Sequence, residues 1–237
     1  MKLDNAVVLV TGANRGLGQE FARQALALGA KKVYAGARDP SQVTLPGVVP
    51  IRLDVNDPVQ VASVAASAGD VTLVVNNAGI AITGGLLGED RADALRRMLE
   101  TNVFGMLHMS QSFAPVLANN GGGALLNVLS VASWITMPML AAYAVSKSAA
   151  WSLTNGLRNE LRGQGTQVLG LHVGFIDTDL TRGIELPKLS PDFVVERAYA
   201  ALENGDSEVL IDELSQNVKR GLAAEPGIYL DVINREA

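Results

Sequence analysis

The chain has 237 residues, 48% of them apolar, which suits one α/β domain with a large buried core. Its formal net charge of −5 offers no basic face to nucleic acid. It has no cysteine, which excludes disulfides, thiolate catalysis and thiolate metal sites, and no metal site is expected.

The opening Met1-Lys2-Leu3-Asp4 runs straight into a strand and leaves no room for a cleavable signal. No apolar run reaches membrane-spanning length, so a cytoplasmic protein without membrane contact is the expectation. Residues 6–10 form a short apolar run ending at Thr11-Gly12 and read as a buried strand. Residues 16–28 show helical spacing, with Leu17, Phe21, Ala25 and Leu28 on one face and Gly29 as terminator. Strands follow at 32–37 and 48–53. Asp57-Pro58, a capping residue followed by proline, starts the next helix. A fourth strand is expected at 71–75, a long helix at 89–118, and a fifth strand at 124–129. A second long helix spans 141–162, a sixth strand 167–173, a helix 191–202 and a last strand 208–211. Short strands, apolar on both faces and alternating with helices, are parallel strands covered on both sides. No repeat or linker interrupts them. Residues 177–190, with Gly183 and Pro187, lack periodicity and are expected to form a mobile lid. Both long helices are apolar on more than one face, which predicts a second surface to cover and a homodimer or homotetramer.

Two groups of residues carry chemistry. Thr11-Gly12-Ala13-Asn14-Arg15-Gly16-Leu17-Gly18 joins the first strand to the first helix. Glycines in such a turn let the backbone approach a pyrophosphate, which then rests on the free N–H groups of the helix N-terminus. Without its position in the chain, the same cluster is as well explained by a tight turn. Tyr143 and Lys147 lie four apart on one helix face and can present a hydroxyl and an ammonium to one point. A phenol near pKa ~10 is a poor base, and a neighbouring cation is expected to lower that value. Ser130 falls at the end of the fifth strand, where the ligand crevice of a doubly wound sheet lies, and its hydroxyl could bond a substrate oxygen. Ser133 is a second, less well placed candidate. His172 and His108 read as structural, since no second histidine motif accompanies either.

Assembled in this order, these residues resemble the short-chain dehydrogenase/reductase family over nearly the whole chain. The resemblance implies a single Rossmann-type domain, with seven parallel strands in the order 3-2-1-4-5-6-7 and helices on both faces. Thr11–Gly18 matches the family's cofactor turn, and Asn76-Asn77-Ala78-Gly79 its motif after the fourth strand. It implies a catalytic tetrad of Asn102, Ser130, Tyr143 and Lys147. In that tetrad Ser130 orients the carbonyl, Tyr143 passes the proton, and Lys147 holds the nicotinamide ribose while tuning Tyr143. Asn102 holds a local helix distortion and a water. It further implies cofactor contacts from Gly12, Asn14, Arg15, Gly16, Leu17 and Gly18. Asp54 and Val55 would meet the adenine, and Asn77, Ala78 and Gly79 the ribose side. Gly174, Ile176 and Thr178 would meet the nicotinamide end, with Val173 standing where the family has proline.

NAD sites of this architecture place an acid at the end of the second strand. Here that end reads Tyr34-Ala35-Gly36-Ala37-Arg38. With no acid near Gly36, Arg38 can fork onto a 2′-phosphate and Arg15 adds a second cation. NADP(H) is therefore the expected cofactor and NAD(H) the alternative. Asp39 is the residue that could take the acid's place or neutralise Arg38. The expected activity is hydride transfer between nicotinamide and a carbonyl or alcohol. The alternatives are a cofactor-binding sensor without turnover, and an epimerase or dehydratase. Trp134, Ile135, Met137, Met139, Phe175, Leu180 and Ile184 point to an apolar small-molecule substrate.

Overall fold

A computed structural model describes residues 1–230. Seven parallel strands, β1 (Val7–Thr11), β2 (Lys32–Ala37), β3 (Val49–Arg52), β4 (Leu73–Asn76), β5 (Ala124–Val128), β6 (Gln167–His172) and β7 (Glu208–Leu210), lie in the order 3-2-1-4-5-6-7. The expected strands are all present, with ends shifted by a residue or two. Alternate side chains on a strand point to opposite faces, and the core divides accordingly. Val8 and Val10 of β1, Leu73 and Val75 of β4, and Leu126 of β5 pack against α1 (Gly16–Ala27) and α6 (Pro191–Asn204). There Phe21 and Tyr199 meet edge to face. Val7, Leu9, Val74 and Leu125 face the other way, onto α2 (Pro58–Ser67) and the helices that follow β4 and β5. Among the described residues no helix is long and apolar enough to cross a membrane.

Two departures from the sequence reading matter for function. The long helix expected over residues 89–118 is not continuous. It consists of α3 (Arg91–Leu99), a π-helical turn over Glu100–Phe104, and α4 (Gly105–Asn119). The other long helix is α5 (Ala141–Glu160). A further helix, α7 (Glu213–Gly221), follows β7 and was not foreseen. Its sequence signal is present but short. Asp212 caps it by accepting from Ser215 N at 2.6 Å, and Lys219 and Arg220 occupy its last turn.

The strand order reverses between β1 and β4, and both neighbours end at the same rim of the sheet. That crevice is where a doubly wound sheet binds ligands.

Candidate active site

The turn between β1 and α1 is built around two glycines. Gly12 takes φ +66°, a conformation that other residues rarely adopt. A Cβ on Gly18 would lie 2.5 Å from Asn77 Nδ2, so only glycine lets the turn close against the segment after β4. That segment fastens the turn. Asn77 Nδ2 donates to Thr11 O at 2.8 Å, and the N–H groups of Asn77 and Ala78 donate to Thr11 Oγ1 at 3.0 and 2.9 Å. No side chain caps α1 and no acid lies in its first turn, which leaves the helix N-terminus free for an anion. The cradle suits a pyrophosphate. Gly12, Asn14, Gly16, Leu17 and Gly18 are the residues that could hold it.

Asn102 explains the π turn. It is buried, and its side chain pairs with both backbone groups of Ile80: Oδ1 accepts from Ile80 N at 2.8 Å, and Nδ2 donates to Ile80 O at 2.9 Å. Nδ2 also donates to Ser146 Oγ at 2.9 Å, and Ser146 Oγ donates to Tyr143 O at 2.7 Å. Widened turns of this kind recur at functional sites. Here the turn joins the Asn76-Asn77-Ala78-Gly79 segment to the helix that carries Tyr143 and Lys147.

Ser130 follows β5, and Tyr143 and Lys147 occupy consecutive turns at the start of α5. The Ser130 hydroxyl accepts from Ala132 N at 3.1 Å and donates weakly to Val173 O at 3.4 Å. Lys147 is buried, and its Nζ donates to Val128 O at 2.8 Å. Desolvation lowers Lys147 to about 8. Tyr143 is partly accessible, yet desolvation pushes its phenol up to about 12, with the Ser130 side chain acting the other way. This corrects one expectation. Burial outweighs the expected lowering by Lys147, whose ammonium donates to Val128 O and lies 5.7 Å from the centre of the Tyr143 ring. Ser133, the second serine candidate, is buried at 3% exposure, beneath the surface that a substrate could reach.

At the end of β2, a Cβ on Gly36 would meet Leu53 Cδ2 at 2.8 Å and Val10 O at 3.1 Å, so a larger side chain there would be crowded. Asp39 is occupied locally. It caps the turn Pro40–Gln42, accepting from Ser41 N at 3.0 Å and Ser41 Oγ at 2.7 Å, and these bonds hold its carboxyl below the usual range. Arg38 is exposed and makes no ion pair among the described residues. Arg15, expected to face the cofactor, pairs with Asp179 at 2.9 Å. At the end of β3, Asp54 Oδ1 accepts from Asn56 N at 3.0 Å, and Val55 O lies 3.0 Å from His108 Nδ1, a structural use of that histidine.

The segment after β6 is closed at its base, where Asp177 N donates to Leu189 O and Leu189 N to Phe175 O. Thr178 and Thr181 form a reciprocal cap around the turn Asp179–Thr181, and Ile176 is buried beneath it. A cleft of about 420 Å³ lies between this segment and the glycine turn, lined by Gly16, Thr178, Asp179, Arg182, Gly183 and Lys188. Gly174 N donates to Asp212 Oδ2 at 2.5 Å, so the α7 cap also steadies the start of the segment after β6. The apolar side chains expected around the substrate divide. Met137, Met139 and Leu180 are 41%, 61% and 53% exposed. Trp134 is core: it packs with Val131 and Val218, meets Trp151 edge to face and stacks on His172.

The pattern of the short chain dehydrogenase family matches residues 6–188. A short chain dehydrogenase of Aspergillus terreus is 31% identical over 224 residues, 82% of this chain. The chain spans 49%, about half, of that relative's length. A galactitol 2-dehydrogenase (L-tagatose-forming) of Cereibacter sphaeroides is 35% identical over 191 residues, covering 76% of this chain and 75% of the relative. A short chain dehydrogenase from Burkholderia cenocepacia, solved in complex with NADP, superposes with a TM-score of 0.92 at 38% identity, over 98% of both chains.

Proposed function

The chain belongs to the short-chain dehydrogenase/reductase family, and on that premise we propose that it is an NADP(H)-dependent oxidoreductase interconverting a carbonyl and an alcohol. The observation that carries this reading is that the Ser130 side chain acts on the Tyr143 phenol and the Lys147 ammonium lies 5.7 Å from its ring, on a sheet whose first turn leaves a helix N-terminus free. The nicotinamide, when bound, supplies or accepts the hydride. In the reducing direction the Ser130 hydroxyl exchanges its weak bond to Val173 O for the substrate oxygen, and the Tyr143 hydroxyl delivers the proton. Lys147, mostly charged at neutral pH, holds the nicotinamide ribose. Asn102 keeps the π turn open and holds the start of α5 through Ser146. The exposed Met137, Met139 and Leu180 favour an apolar substrate. A cytoplasmic location is part of the same proposal.

The NADP preference is supported by the unpaired Arg38, the occupied Asp39, the crowded Gly36 and the NADP bound to the Burkholderia relative. A screen of aldehydes, ketones and quinones with NADPH and NADH tests it. NADPH should be preferred, and Arg38→Ala should raise KM for NADPH about 10- to 100-fold, the worth of a charge-assisted bond, with NADH little changed. A wild type that favours NADH would overturn the preference, and cofactor binding without turnover on any carbonyl would favour the sensor.

Residues 177–190 act as a lid in this reading. Asp179 is paired with both Arg15 and Arg182. Exposed pairs of this kind hold weakly, about 0–1 kcal/mol, so hydrogen exchange across the segment should slow when cofactor and substrate are both bound. Equal exchange with and without them would rule the lid out.

The protein is further proposed to be a homodimer or homotetramer. Phe104, on the π turn, and Val145, on α5, remain 46% and 41% exposed. Light scattering at micromolar concentration should give a multiple of the monomer mass.

A further inference from the structure

His172 is fully buried at the end of β6, with Nδ1 bonded and its face stacked. Its Nδ1 lies 3.1 Å from the carbonyl oxygen of Ser130. Its face stacks on Trp134, with ring centres 3.9 Å apart and planes within 16°. Its Nε2 lies 3.4 Å from Glu208 Oε1. Glu208 is fixed in turn by Lys219 of α7, at 3.1 Å from Oε1 and 2.8 Å from Oε2. The Lys219 ammonium sits over the Trp134 and Trp151 rings, at 4.8 and 5.6 Å. A carbonyl oxygen only accepts, so the bond to Ser130 requires the proton on Nδ1.

The peptide unit joining Ser130 to Val131 is therefore gripped at both ends by His172, the last residue of β6, and Val173, the residue that follows it. Its oxygen accepts from His172 Nδ1, and its N–H donates to Val173 O at 3.0 Å. The orientation of that peptide sets where the Ser130 side chain points. We propose that His172 is a positioning residue. Through its Nδ1–H bond to Ser130 O, and held in its ring plane by the stacked Trp134, it aims the Ser130 hydroxyl at the substrate oxygen. This rests on the proposed oxidoreductase reading.

Two substitutions separate positioning from packing. His172→Asn keeps a donor at the place of Nδ1 but loses the stacked ring. His172→Leu keeps the volume but loses the donor. Small misplacements near reacting groups cost up to about 100-fold. His172→Leu should therefore lower kcat about 10- to 100-fold, with KM and the NADPH Kd little changed, while His172→Asn stays within about threefold of wild type despite a lower Tm. A packing role would rank the two the other way, since the leucine would be the better tolerated. Nitrogen NMR of the wild-type protein without cofactor supplies a readout that does not depend on turnover: Nδ1 should carry the proton. The proposal is overturned if His172→Leu keeps kcat within about twofold, if the asparagine variant loses as much as the leucine variant, or if Nδ1 is unprotonated. If the wild type turns over no carbonyl, the oxidoreductase reading fails, and the NMR result alone decides the bond between His172 and Ser130.

Discussion

Tyr143→Phe should lose about 10²–10⁴-fold in kcat, the usual worth of a positioned proton transfer, while folding normally and binding NADPH as before. Phenylalanine keeps the ring and removes only the hydroxyl beside Ser130. Retention of near-normal kcat would remove Tyr143 from the mechanism. The pH dependence has a defined sign. Burial pushes the phenol up to about 12, so below that value it stays protonated and suited to donate to a carbonyl oxygen. Alcohol oxidation needs the phenolate and should accelerate with rising pH, whereas carbonyl reduction should not. Initial rates in both directions across the alkaline range would show this asymmetry, and Tyr143→Phe should abolish it. Bound cofactor that turned the Lys147 ammonium toward Tyr143 would shift the oxidative limb to lower pH.

Lys147→Met should stabilise the protein at neutral pH while removing nearly all turnover and weakening NADPH binding. Desolvation lowers the buried ammonium from 10.5 to about 8. Between those values the unfolded chain holds the proton that the folded protein has released, so the stability of the wild type rises with pH across that window. Below it, the charged lysine costs about 3 kcal/mol, from ~1.36 kcal/mol per pKa unit. Methionine avoids that cost but leaves Val128 O without its donor, which costs about 1–3 kcal/mol. The net gain, up to about 2 kcal/mol, would raise Tm by up to roughly 8 °C in a chain of this size. Thermal melts of both proteins from pH 7 to 10 should show the advantage shrinking as the wild-type lysine deprotonates. A lower Tm for the variant at pH 7 would show that the ammonium is not strained by burial.

Short apolar strands alternating with helices were enough to specify parallel strands covered on both faces, because period-two and period-3.6 patterns are local properties of the chain. The glycine turn and the Tyr143–Lys147 pair were legible for the same reason: a βα junction and a single helical turn are set by neighbours in sequence. The strand order and the role of Asn102 were available only through family resemblance. What neither pattern nor resemblance supplied were contacts between residues far apart in the chain. Resemblance implied a helix distortion at Asn102 but not the contact that holds it, the bonds between Asn102 and the backbone of Ile80, 22 residues away. Trp134 reads as substrate wall until α7, a helix too short and polar for its periodicity to announce it, covers it. His172, an isolated histidine at the end of a buried strand, gains partners only when the sheet sets β6 between β5 and β7. That arrangement brings Ser130 O and Glu208 to opposite edges of its ring. Sequence therefore determined the elements and the local chemistry, and tertiary packing decided which side chains hold that chemistry in place, because a buried polar group is satisfied by whichever partner the fold delivers.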